Sequence, residues 1–202
     1  MVLPSGVTRL AGSDTTDPAG LRGTVSVLEI RGPSGQQTHQ VRIWRPPGPD
    51  SAVTPVLYFL PADQGSARDP FAGGLARTLN QRMQAGYPPF VVASVDGNGE
   101  QLADAAIPAV EGTHMRDAAH RAIAGFSMGG DGAVNIAMRN SGAFGQVVSI
   151  PVTVRVQPGA HDGAYAMTAL RQAFTFLTAG WRQAAADDAT DSGFWNAAAG
   201  PR

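Results

Sequence analysis

Apolar and polar residues alternate along Gly23–Ile30 (GTVSVLEI) and again along His39–Trp44 (HQVRIW), as in strands with one buried face. Between them Arg31–Gln37 carries Gly32-Pro33-Ser34-Gly35, so the pair predicts a β-hairpin, closed by Pro46-Pro47-Gly48-Pro49-Asp50. The pattern then changes. Thr54–Leu60 (TPVLYFL), Phe90–Val95 (FVVASV) and Arg121–Phe126 (RAIAGF) are short runs dominated by apolar residues, the signature of strands buried on both faces. Helical spacing separates them. Phe71, Leu75, Leu79 and Met83 predict a helix over Phe71–Ala85, stopped by Pro88-Pro89. Leu102, Ala105, Ala106 and Val110 predict one over Gln101–Glu111, kinked or shortened by Pro108. A third helix follows over Asp131–Arg139. Phe144–Ile150 and Val152–Val156 read as strands, with Pro151 alone between them, and Tyr165–Ala179 reads as a long helix through Met167, Leu170, Phe174 and Leu177.

Strand and helix in alternation predict a doubly wound α/β domain, with reactive residues at the carboxyl ends of its strands. Residues 1–22, rich in Gly, Pro, Ser, Thr and Asp, are expected to form a loose arm. Residues 23–181 form the single domain, and 182–202 an Ala-rich tail with Asp187, Asp188 and Asp191.

Composition narrows the chemistry. The chain has 202 residues, 43% of them hydrophobic and 15% charged, enough for one sizeable core. A net charge of −1 gives no reason to expect nucleic acid or an anionic membrane as a partner. The absence of Cys removes disulfides, thiolate metal sites and a cysteine nucleophile. All 15 basic residues are Arg, for which folding supplies no reason. No apolar run reaches the length of a membrane span, and the first twenty residues lack the basic start and apolar core of a signal peptide. As written, the chain is expected in the cytoplasm, or outside the cell if an upstream segment precedes it. No spacing of His and carboxylates suits a metal, and no cofactor is expected; His39, His114 and His120 read as surface or loop residues.

One motif carries chemistry. Gly125-Phe126-Ser127-Met128-Gly129 is a G-x-S-x-G run with a strand-like stretch before it and a helix after it. The bare pattern is a weak signal in a chain with 25 glycines; the flanks give it weight. In that context the serine sits on a tight strand-to-helix turn, with Ser127 Oγ exposed at the sheet's edge and the Met128 N–H aimed where an oxyanion would form.

The chain resembles the esterase branch of the α/β-hydrolases that includes esterase D type enzymes, enterochelin esterases and mycolyltransferases. The resemblance runs from about residue 23 to 181, through VRIWRPPG, PVLYFLP, PPFVVASVDGNG, AIPAVEG, RAIAGFSMGGDGAVNIAMRN and VTVRVQPGAHDGAYAMTALRQAFTFL. It implies an α/β-hydrolase-like three-layer sandwich: a mostly parallel sheet with an N-terminal β-hairpin, here shortened on the C-terminal side. It also implies a serine nucleophile at Ser127, a general-base histidine at His161 in the late G-x-H-D, and a second oxyanion donor at the Asp63 backbone N–H. The substrate would be a small-molecule ester.

Two departures stand against that template. Pro61-Ala62 replaces the family's His-Gly before Asp63. The triad acid is not evident either: in this fold it falls between serine and histidine, and Asp131, in the elbow helix's first turn, is the only carboxylate there. Asp162 adjoins His161, but neighbours on extended backbone point apart; Asp187, Asp188 and Asp191 are further candidates. A single proline between the strands at Phe144–Ile150 and Val152–Val156 leaves no room for a parallel crossover, as if a block had been removed. Three readings follow: a serine carboxylesterase, an acyltransferase of the mycolyltransferase type, and a non-catalytic α/β scaffold. The acyl length, the alcohol and the oligomeric state are not legible in the residues.

Overall fold

The computed structural model describes residues 6–13, 23–31, 37–62, 65–96, 102–150, 170–171 and 173–182. Seven strands form one mixed sheet in the order β1-β2-β3-β5-β4-β6-β7. The predicted hairpin is β2 (Thr24–Arg31) and β3 (Thr38–Arg45), in antiparallel register from Thr24↔Arg45 to Arg31↔Thr38. Inside the expected loose arm, β1 (Val7–Ser13) adds antiparallel to β2, with an irregularity between Leu10 and Ser13. Its sequence, VTRLAGS, has too few apolar positions to announce a strand; pairing with a neighbouring edge supplies what the side chains do not. The antiparallel part of the sheet is therefore three strands wide rather than a hairpin. β3 joins it antiparallel to β5 (Val91–Val95), which pairs parallel with β4 (Val56–Leu60). β6 (Arg121–Phe126) lies parallel to β4 on its other side, and β7 (Gln146–Ile150) lies parallel to β6.

Every residue of β4, β5 and β6 is buried, as their apolar runs require. One face of the sheet, with Leu57, Phe59, Val92, Ala124 and Phe126, packs on Leu75 and Leu79 of α2 (Leu75–Gln84) and on Leu170, Phe174, Leu177 and Trp181. Residues 173–182 are helical. The other face, with Val56, Tyr58, Val91, Ala93 and Ile123, packs on Leu102, Ala106, Ile107 and Val110 and on Ala133 of α4 (Met128–Arg139). These are the three layers of the α/β sandwich.

Two predicted helices are interrupted for local reasons. Gly73-Gly74 divides the first into α1 (Asp69–Ala72) and α2, with Gly74 in the left-handed region at φ 90°. The second is a π-helical turn over Leu102–Ala106 that runs into α3 (Ile107–Glu111). Pro108 sits in the first turn of α3, where a missing N–H is tolerated. The predicted strand Val152–Val156 lies outside the described residues.

Candidate active site

Ser127 occupies the junction of β6 and α4, at the carboxyl edge of the parallel strands. Its backbone lies at φ 56°, ψ −125°, and it is the one non-glycine residue with positive φ among the described residues. Such a conformation costs about 1–3 kcal/mol and persists only where the surroundings over-determine it. They do so here. A Cβ on Gly125 would lie 1.9 Å from the Gly129 carbonyl oxygen, so β6 and α4 meet too closely for any side chain. A Cβ on Gly129 would lie 2.2 Å from the Pro61 carbonyl oxygen and 2.4 Å from that of Leu60. The first turn of α4 is thus pressed against the segment leaving β4. On the far side the Ser127 N–H donates to the Ile150 carbonyl at the end of β7 (2.9 Å). Three strand ends therefore converge on this serine.

Ser127 is half-buried and Met128 exposed. Met128 begins α4, so its N–H is among the four at a helix start that no helical carbonyl can accept. The same end favours negative charge, worth about 0.3–1 kcal/mol at an exposed site. A hydroxyl beside free N–H donors at a helix N-terminus is the arrangement that acyl transfer requires. Asp131 is exposed in the first turn of α4, placed as a helix N-terminal charge.

The loop after β4 reaches this edge through Pro61 and Ala62. Past it, Asp96 at the end of β5 accepts from the Ala67 N–H (2.6 Å) and the Gln40 N–H (2.8 Å), tying that loop to two strands. In the sequence Asp96 reads only as the opening of an Asp-Gly turn; the clamp joins positions remote along the chain, and no local spacing announces it. Asp63, His161 and Asp162 lie outside the described residues, as do Asp187, Asp188 and Asp191. The structure therefore brings together Ser127, Met128 and the Pro61–Ala62 segment.

The amino-terminal edge of the same strands holds a buried charge cluster that the sequence does not announce. Glu111 accepts from Tyr58 Oη (3.0 Å), from Arg121 Nε and Nη2 (2.8 and 2.9 Å) and from the Arg116 N–H (2.7 Å). Arg116 pairs with Asp50, which also holds Arg45 at 3.0 Å. Burial, with Glu111 beside it, pushes the Tyr58 hydroxyl well above its ordinary value, and the bond to Glu111 raises Arg121. Opposite the elbow, this cluster fastens α3 and the 112–120 loop to the sheet. His120 lies there too, its Nδ1 2.8 Å from Asp117 Oδ1, a bond that holds the Asp117 carboxyl below its usual range; His114 is exposed.

No group of three or more His, Asp or Glu among the described residues is placed to hold a metal, and no described helix is long and apolar enough to cross a membrane.

The fold is the three-layer α/β sandwich of the α/β-hydrolase type. Solved structures bear the fold out. A ferulic acid esterase superposes with a TM-score of 0.65 at 17% identity, covering 79% of this chain and 99% of its own. The feruloyl esterase module from Clostridium thermocellum gives 0.59 at 15%, covering 82% and 68%. The fluorophosphonate-binding serine hydrolase FphF of Staphylococcus aureus gives 0.53 at 15%, covering 77% and 98%. Residues 99–198, about half the chain, match the model of the Esterase family, described as "Putative esterase". This sequence match, on a chain with the fold of esterases, supports an ester hydrolase. No curated protein sequence matches the chain.

Proposed function

We propose that the protein is a serine carboxylic-ester hydrolase acting through an acyl-enzyme on Ser127. The observation that carries this reading is the strained Ser127 backbone, held between Gly125 and Gly129 at the start of a helix. A serine hydroxyl is a weak nucleophile and needs a base within hydrogen-bond reach; His161 is assigned that role on the family resemblance. His161 takes the Ser127 proton as Oγ attacks the acyl carbon. The oxyanion is held by the Met128 N–H and by that of Asp63, in the loop that Gly129 lies against at Pro61. The proton then passes to the departing alcohol, and water repeats the sequence to release the acid. With no acid assigned to orient His161, turnover is expected to be slow, since loss of that role costs about 10,000-fold in a related triad.

The test is hydrolysis of p-nitrophenyl acetate and butyrate by wild type and Ser127→Ala. A loss of at least about 1,000-fold with an unchanged circular dichroism spectrum supports the reading. Activity that survives in the variant removes Ser127 from the mechanism.

A further inference from the structure

Between the C-terminal half of α2, the turn that leads from it towards β5 and Arg171, a cleft of about 370 Å³ is lined by Thr78, Gln81, Arg82, Ala85, Tyr87 and Arg171. Arg82 is fixed: its guanidinium stacks 4.6 Å over the Tyr87 ring and donates to Thr175 Oγ1 (2.9 Å) and to the Arg171 carbonyl (2.7 Å). Arg182 stands 5.6 Å over the same ring and donates to the Gly86 carbonyl at 3.3 Å. Among the described residues Arg171 makes one long contact, 3.5 Å, to Thr78 Oγ1. Each guanidinium has five N–H donors, so most of those on Arg171 and Arg182 have no acceptor among the described residues.

Among the described residues the charge is also unanswered. None of the three arginines joins an ion pair among the described residues. Leu75–Gln84, the 85–90 turn and residues 170–182 contain no Asp or Glu at all. Two of these cations share the Tyr87 ring and the third lines the same cleft; like charges so placed repel one another, and stacking offsets only about 0.5–1 kcal/mol for each of the two at exposed sites. An oxyanion would relieve that repulsion and accept the open donors, which suit carboxylate and phosphate geometry. The volume exceeds that of a bare ion, given about 30 Å³ per water, and falls at the lower end of ligand pockets.

We propose that this cleft binds an oxyanion: a phosphate or carboxylate group carried by a small organic molecule, or the carboxylates of Asp187, Asp188 and Asp191 further along the chain. The site is separate from the elbow, which follows the carboxyl end of β6. Calorimetric titration of the full chain with inorganic phosphate at low ionic strength tests it. Three proteins are compared: wild type, Arg171→Gln/Arg182→Gln, and Asp187→Asn/Asp188→Asn/Asp191→Asn. Arg82 is left in place because its bonds join α2 to the helix beside it. Binding by wild type that weakens at least 10-fold in the arginine variant indicates a free ligand. Binding that appears only in the asparagine variant indicates that the chain's own carboxylates fill the cleft. The proposal is overturned if neither wild type nor the asparagine variant binds phosphate. It is equally overturned if the arginine variant, folded by its melting curve, binds phosphate as well as the other two. Ester turnover is expected to be the same in wild type and the arginine variant.

Discussion

Ser127 is strained, and Gly125 and Gly129 stand two positions to either side of it because the backbone at those two points leaves no room for a side chain. Ser127→Gly removes the strain, about 1–3 kcal/mol, against an added chain-entropy cost of about 0.5–1 kcal/mol. We expect that variant to unfold at higher urea, by about 1 kcal/mol, while losing ester turnover. Gly129→Ala acts in the opposite direction. Its new methyl would meet the Pro61 and Leu60 carbonyls, neither of which is a side chain free to turn away. We expect a loss of about 1–3 kcal/mol or more on urea unfolding, as for overpacked cores. We also expect at least a tenfold fall in kcat, because the displaced segment leads to Asp63. A Gly129→Ala protein with wild-type stability and rate would show that the close approach is not needed.

Among the elements, β6 matters most, because Arg121 anchors its first residue and Ser127 follows its last. Glu111→Ala leaves the buried Arg121 without its carboxylate, and breaking such a pair costs about 3–5 kcal/mol. Urea unfolding of that variant should show a loss in this range. Tyr58 gives the cluster a pH signature. Its hydroxyl keeps its proton in the folded protein above pH 10, where the unfolded chain gives it up. The stability it contributes is therefore complete below about pH 10 and declines as the pH rises further, by up to about 1.4 kcal/mol per unit. Unfolding midpoints at pH 9 to 11 should fall less steeply in Tyr58→Phe than in wild type. The strands β4, β5 and β6 were legible in the sequence because burial on both faces demands apolar runs. Ser127 was legible because the elbow's glycines and its flanks are contiguous. β1 was not, since its pairing with β2 owes little to its own side chains. Nor was the Glu111 cluster, whose members Asp50, Tyr58, Glu111, Arg116 and Arg121 are gathered by the topology rather than by any spacing. The division of the Phe71–Ala85 helix was written in Gly73-Gly74, but the regular spacing of Phe71, Leu75 and Leu79 masked it.

For the molecule as a whole, the two edges of the sheet differ in character. At the amino ends of the parallel strands lie the buried charges that fasten the layers. At the carboxyl ends lie Ser127, the Pro61–Ala62 segment and the Asp96 clamp. That separation lets the strain at the elbow be borne by a rigid frame, and it places the proposed nucleophile where this fold carries its chemistry. The most direct test is labelling of the purified protein with a fluorophosphonate, followed by peptide mapping of the adduct. We expect a single adduct on Ser127, absent from Ser127→Ala and formed at least 100-fold more slowly in His161→Ala. A folded protein that takes no label, or takes it at another residue, would contradict the assignment of Ser127 as an activated nucleophile.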